Sequence, residues 1–157
     1  MRIYQFRVSL PGIPKLYRLI EVSDNCTFDD FHEAIFRAFD RYDSHLYSFF
    51  LTGKDTTNTR VIYNSPEITH PVNVENEFDF GKSKRSSAKT KIRDVGFHEK
   101  DVFHYLFDFG DDWWHRIRVQ SISETESKKK HSRLIKSVGE SPPQYPDYDE
   151  DDDEEFE

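Results

Sequence analysis

The sequence predicts an α+β fold, with one main helix packed across a mixed or antiparallel sheet. Three stretches carry this prediction. Residues 2–10 and 16–22 alternate apolar and polar side chains around a Pro-Gly turn. Residues 27–40 carry an apolar stripe at helical spacing. Residues 102–119 form a second alternating pair around Phe109-Gly110-Asp111-Asp112.

In the first run Tyr4, Phe6, Val8 and Leu10 share one face, and Gln5, Arg7 and Ser9 share the other. That is the period-two pattern of a strand half buried against a core. Pro11-Gly12-Ile13-Pro14 supplies turn chemistry, and the pattern resumes with Leu16, Ile20 and Val22 on the face shared by Arg18. The two runs read as a β-hairpin. Thr27-Phe28-Asp29-Asp30 matches a capping box, with acids in the positive first turn. Phe28, Phe31, His32, Ile35 and Phe39 then recur on one face of a helix that ends near Asp40. His45 to Leu51 reads as the next strand. A hairpin, a helix across it and a further strand make a β-grasp-like opening.

Residues 52–90 are poorly patterned, with a short strand expected at Arg60–Tyr63. Segment 82–93 has six basic residues, including Lys82, Lys84, Arg85 and Lys89, and no acid; its serines read as a loop. In the second hairpin, setting Asp108 opposite Trp113 puts His104, Leu106, Asp108, Trp113, His115 and Ile117 on one face. Phe103, Tyr105, Phe107, Trp114, Arg116 and Arg118 then share the other, which is aromatic and cationic at once. Residues 121–137 read as a strand end or a helix, and Pro142-Pro143 and Pro146 stop regular structure.

The 157 residues carry a net charge of −8, but the charge is polarised. Ten acids and no Lys or Arg lie in 139–157, which leaves residues 1–138 at +2. The expected organisation is one domain over 1–138 and a Pro-containing acidic tail, disordered, over 139–157. No apolar run reaches the length of a membrane span, residues 1–10 lack a signal-peptide core, and the lone Cys26 cannot form an internal disulfide. A cytoplasmic protein without a membrane partner is expected. Aromatic residues are 15% of the chain, so the core should be built from rings.

Four pieces together carry a resemblance. They are Tyr4-x-Phe6-x-Val8-x-Leu10 with Tyr17-Arg18-x-Ile20-x-Val22; Thr27-Phe28-x-x-Phe31-His32-x-x-Ile35 running into Asp43-Ser44-His45-Leu46-Tyr47-x-Phe49; Phe103-x-Tyr105-x-Phe107-Asp108-Phe109-Gly110-Asp111-x-Trp113-x-His115; and Gly139-x-x-Pro142-Pro143. The chain resembles the Ri-plasmid (pRiA-type) open-reading-frame-three-like family over most of its length. The resemblance implies a small α+β domain associated with plasmids and mobile elements, without an established biochemical activity. The chain departs from the family pattern at Arg41-Tyr42, where members have Gly-Trp. It departs again at Gln144-Tyr145-Pro146-Asp147, where members have Glu-Asp and glycines. A resolvase-like label attached to some members finds no nucleophilic Ser ringed by Arg here and no recognition helix.

Two constellations carry chemistry. His32, His45, Asp108, Asp111, Trp113 and His115 could form a His-and-carboxylate cluster under the helix, in which Asp108, Asp111 and His115 hold a divalent metal. Against this, Asp and Gly are ordinary hairpin-turn residues. Arg116 and Arg118 interleave with rings, and with Lys82, Lys84, Arg85 and Lys89 they could contact nucleic acid. The competing reading makes those rings core. Cys26 lacks the partners of a nucleophile, and the six glycines form no phosphate loop. The favoured function is a non-enzymatic binding or adaptor domain linked to mobile elements, recognising protein or nucleic acid and needing no certain cofactor. The alternative is a metal-dependent hydrolase using Asp108, Asp111 and His115 with His32 or His45.

Overall fold

The computed structural model describes residues 1–13, 15–74 and 84–145. Its strands are β1 (Arg2–Ser9), β2 (Tyr17–Ser23), β3 (Tyr47–Phe50), β4 (Glu67–Thr69), β5 (Lys84–Ser86), β6 (Val102–Phe107), β7 (Trp113–Glu124) and β8 (Ser132–Val138). The main helix is α1 (Phe28–Ala38); α2 (Thr59–Tyr63) and α3 (Pro71–Val74) are short. The strands form one mixed sheet in the order β5-β4-β3-β6-β7-β1-β2-β8, antiparallel throughout except for β4–β5. The α+β architecture expected from the sequence is therefore present.

Local chemistry explains the first elements. The turn between β1 and β2 needs a left-handed residue, and Gly12 supplies it at φ +84°. At the start of α1 the Asp30 amide donates to the Thr27 hydroxyl at 3.0 Å, and the Thr27 amide donates to the Asp30 carboxylate at 2.9 Å. At the helix end buried Arg18 donates to the carbonyls of Ala38 at 2.9 Å and Val138 at 3.1 Å. A cation there complements the negative end of the helix dipole, and it ties α1 to the edge strand β8.

Between α1 and the sheet the core is aromatic. Phe6 stacks on Phe31 at 4.6 Å, Phe97 stacks on Phe103 at 4.6 Å, and Phe49 lies against Tyr105 at 4.7 Å. Ring pairs at these separations add to the burial of their area.

Several sequence expectations are corrected. Arg60–Tyr63 is helix rather than strand, because the Asn58 side chain caps it by accepting from the Arg60 and Val61 amides. The basic loop contains β5, and 121–137 resolves into the end of β7 and β8. In the second hairpin Phe107, not Asp108, stands opposite Trp113. The turn takes five residues, Asp108 to Asp112, with Asp108 and Asp112 both left-handed. That one-residue shift exchanges faces along β6 relative to β7. Residues 139–145, assigned to the tail, pack on the body: Ser141 donates to the Phe39 carbonyl at 2.9 Å, and Gln144 is buried. Lys82 and the acidic run from 146 onward lie outside the described residues. Among those described, no helix is long and apolar enough to cross a membrane.

Candidate functional site

The inward face of the second hairpin carries Tyr105 and His115 side by side. His115 is fully buried. Arg41 Nη2 lies 2.8 Å from its Nε2, and a guanidinium can only donate, so Nε2 accepts. The ring proton therefore sits on Nδ1, facing the Tyr105 carbonyl at 3.3 Å. Burial holds His115 well below the usual histidine range, with Arg41 adding to the effect. On the other side of Tyr105, His32 Nδ1 lies 2.6 Å from the phenol oxygen, and its ring stacks on Tyr47 at 3.6 Å. Burial pushes His32 down to about 3 and the Tyr105 phenol well up, so the phenol donates to a neutral imidazole. Tyr47 in turn donates to Asp29 at 2.7 Å.

Arg41 was not among the residues picked from the sequence. Its guanidinium is buried against the rings of Phe39, Phe107 and Trp113 at 5.0, 5.0 and 5.4 Å. Burial lowers it to about 10. Its Nη1 and the neighbouring Trp113 Nε1 are buried donors without a hydrogen-bond partner among the described residues. Arg41-Tyr42 and Gln144-Tyr145, far apart in sequence, come together here. Gln144 accepts from the Tyr42 and Asp43 amides at 3.0 and 3.1 Å and donates to the Asp43 carbonyl at 2.7 Å; Tyr145 packs on Tyr42.

Asp108 does not join His115. In the turn its Oδ1 accepts from the Gly110 amide at 3.0 Å and the Asp111 amide at 3.3 Å. Its Oδ2 lies 3.4 Å from His45 Nε2, which also sits 2.6 Å from the Tyr145 hydroxyl. Tyr145 donates to Asp43 at 2.7 Å, and that bond raises its phenol to about 12. The metal set of Asp108, Asp111 and His115 is therefore not assembled. Both His115 nitrogens are committed, and Asp108 is the cap of its own turn. Among the described residues no three His, Cys, Asp or Glu side chains are grouped to hold a metal.

The outer face of the same hairpin holds Trp114, Arg116 and Arg118, and it is open. With Arg7 they line a cavity of about 620 Å³, bounded by the turn after β1, by residues 55–57 and by Thr59 and Ile62 of α2. Arg7 and Arg118 stand directly opposite one another on β1 and β7. Arg7 rests on the Tyr17 ring at 3.9 Å. Arg116 is held by Asp55 at 2.9 Å, and that ion pair keeps the Asp55 carboxyl below its ordinary range. Asp55 is the sole carboxylate among the described lining residues, and no carboxylate of the described residues pairs with Arg7 or Arg118. His104, next to Arg116, is kept below the usual histidine range by burial and bonds Thr52 at 2.9 Å. The signal for this site was the Gln5-Arg7-Ser9 side of the first strand, legible only with the correct register of the second hairpin.

The other basic residues do not join it. Lys84 lies in the same cross-strand row as Arg116, through His104, Phe50 and Glu67, but four strands away. That is about 19 Å at ordinary strand spacing. Arg85 and Lys89 are exposed at that far edge.

A protein-family model described as plasmid pRiA4b ORF-3-like protein matches residues 2–147. Among solved structures, the chain is similar to a protein of unknown function from Methanosarcina mazei Go1. That match has a TM-score of 0.68 and 27% sequence identity, and it covers 91% of this chain and 73% of the other. No curated protein matches the chain.

Proposed function

The chain belongs to the plasmid pRiA4b ORF-3-like family, and from that premise we propose that it is a non-enzymatic binding domain, serving mobile-element biology, that takes an anionic partner in the cavity on the outer face of its sheet. One observation carries this reading. The polar groups of the hairpin from Tyr105 to His115 mostly satisfy one another, whereas Arg7 and Arg118 stand side by side on adjacent strands in the cavity lining, and no carboxylate of the described residues pairs with either. Like charges directly opposite on adjacent strands repel, and an anion between them reverses the sign of that interaction. Concave sites with apolar walls and a few convergent polar groups are the usual form of a ligand pocket.

The test is isothermal titration with inorganic pyrophosphate at low salt, against the native protein and an Arg7→Gln/Arg118→Gln double variant. Saturable binding that the double variant loses supports the reading. Binding that survives in the double variant moves the anion site elsewhere, and no binding to the native protein ends the anion reading.

A further inference from the structure

We propose that the outer-face cavity is a nucleoside-phosphate site, with the phosphate on Arg7 and Arg118 and the base on Trp114. The proposal rests on the anion-binding reading above and adds the rest of the ligand.

The phosphate end follows from the number and placement of the guanidiniums. Each presents a planar fork of donors suited to an oxyanion, and the two residues are cross-strand partners that line the same cavity. A carboxylate fills one fork. A phosphate has enough oxygens for both. Arg7 is steadied by Tyr17 and Arg116 by Asp55, so part of the side-chain ordering precedes the ligand.

The base end follows from the walls. Trp114 lies four residues from Arg118 on the same face of β7, about 13 Å along the strand. Its ring is fixed by Phe50 at 5.9 Å and by Tyr63 at 5.5 Å. Leu10, Pro11, Ile13 and Ile62 supply the apolar surroundings. A fixed indole in an apolar wall suits a flat ring, because stacking a base on an aromatic side chain is favourable for every base. His104 stands opposite Arg116, between Trp114 and Arg118 along β7, and Thr56, Thr57 and Thr59 line the same cavity. Hydroxyls and a buried imidazole suit the sugar and the base edge. A volume of about 620 Å³ lies within the range of small-molecule sites.

The ligand is either a free nucleotide or one unit of a single strand, and the experiment separates the two. The full chain is titrated at low salt with uridine and adenosine monophosphates, with a thymidine hexanucleotide, with inorganic pyrophosphate and with a glutamate hexapeptide. Binding is followed by calorimetry and by tryptophan fluorescence. Nucleotides are expected to bind at least about tenfold tighter than pyrophosphate, as stacking requires. Trp114→Leu should remove that advantage and leave pyrophosphate binding in place, and Trp114→Phe should restore most of it. A hexanucleotide bound tighter than the monophosphates assigns the site to single strands; equal affinity assigns it to free nucleotides. If pyrophosphate or the acidic peptide binds as tightly as the nucleotides, the anion site stands and the nucleoside proposal falls. If none of the probes binds, both fall.

Discussion

The two faces of the sheet are made by the same strands and differ in what their polar groups meet. Toward α1, rings pack on rings, and His32, Tyr105, His115 and Arg41 mostly answer one another inside the core. Away from α1, the like charges Arg7 and Arg118 stand side by side on adjacent strands in a cavity whose described lining has one carboxylate, already bound to Arg116. Strand β7 contributes to both faces: Trp113, His115, Ile117 and Val119 turn inward, and Trp114, Arg116 and Arg118 turn outward. Parity along one strand thus separates residues buried under α1 from residues that line the outer cavity.

The sharpest test of that division is a pair of ring truncations. Phe6 is fully buried and touches the rings of Tyr4, Phe31, Phe97 and Phe103. Phe6→Ala should cost about 3–5 kcal/mol, read by urea denaturation. Trp114→Ala on the open face should cost less than half of that. Equal losses would erase the energetic difference between the faces.

A second test titrates the inner face. His32 and His115 are held neutral by burial, at about 3 for His32 and well below the ordinary value for His115. Below about 6.5 the unfolded chain takes up protons that the folded chain refuses. The stability carried by these neutral rings is therefore intact above that value and is lost as the pH falls. The loss between pH 7 and 5 should be about 2 kcal/mol for His32, and His115 adds to it in the same direction. His32→Gln, which keeps an acceptor for Tyr105, should make the profile shallower by that amount. A flat native profile over this range would show that these rings are charged in the fold.

Much of the inner face was legible in the sequence. The capping box at Thr27, the stripe from Phe28 to Phe39 and the alternation in β1 are local patterns, and they fold locally. The outer face was not, for a specific reason. Its composition depends on which residue stands opposite Trp113, and that is set by the length of the turn rather than by alternation. A five-residue turn with Asp108 and Asp112 left-handed puts Phe107 there. The shift sends Tyr105 and Phe107 to the core with His115 and leaves Trp114, Arg116 and Arg118 outside. The buried role of Arg41 was not legible, because a lone arginine after a helix has no periodic pattern; its ring cage forms only through long-range packing.

The turn that sets this register provides the third test. Asp108 is buried and caps two amides, while Asp111 is exposed. Asp108→Ala loses those bonds and puts alanine in a left-handed conformation, at a cost of about 1–2 kcal/mol. Asp111→Ala should stay within about 0.5 kcal/mol. If the two acids were equivalent ligands of a metal, the two losses would be alike and would grow when divalent cations are added.

The smallest expected effect has the opposite sign. Arg7 and Arg118 are cross-strand partners and no carboxylate of the described residues pairs with either, so their like charges repel in the unliganded protein. Arg7→Gln keeps most of the side-chain length over Tyr17 and removes one charge. It should stabilise the ligand-free fold by about 0.2–1 kcal/mol, the usual size of a cross-strand charge pair. The gain should shrink as salt screens the pair. The same variant should weaken pyrophosphate binding, so that stability rises as affinity falls. A loss of stability at low salt would mean that Arg7 contributes more through its contact with Tyr17 than it costs through Arg118, and the outer face would then be a structural surface like the inner one.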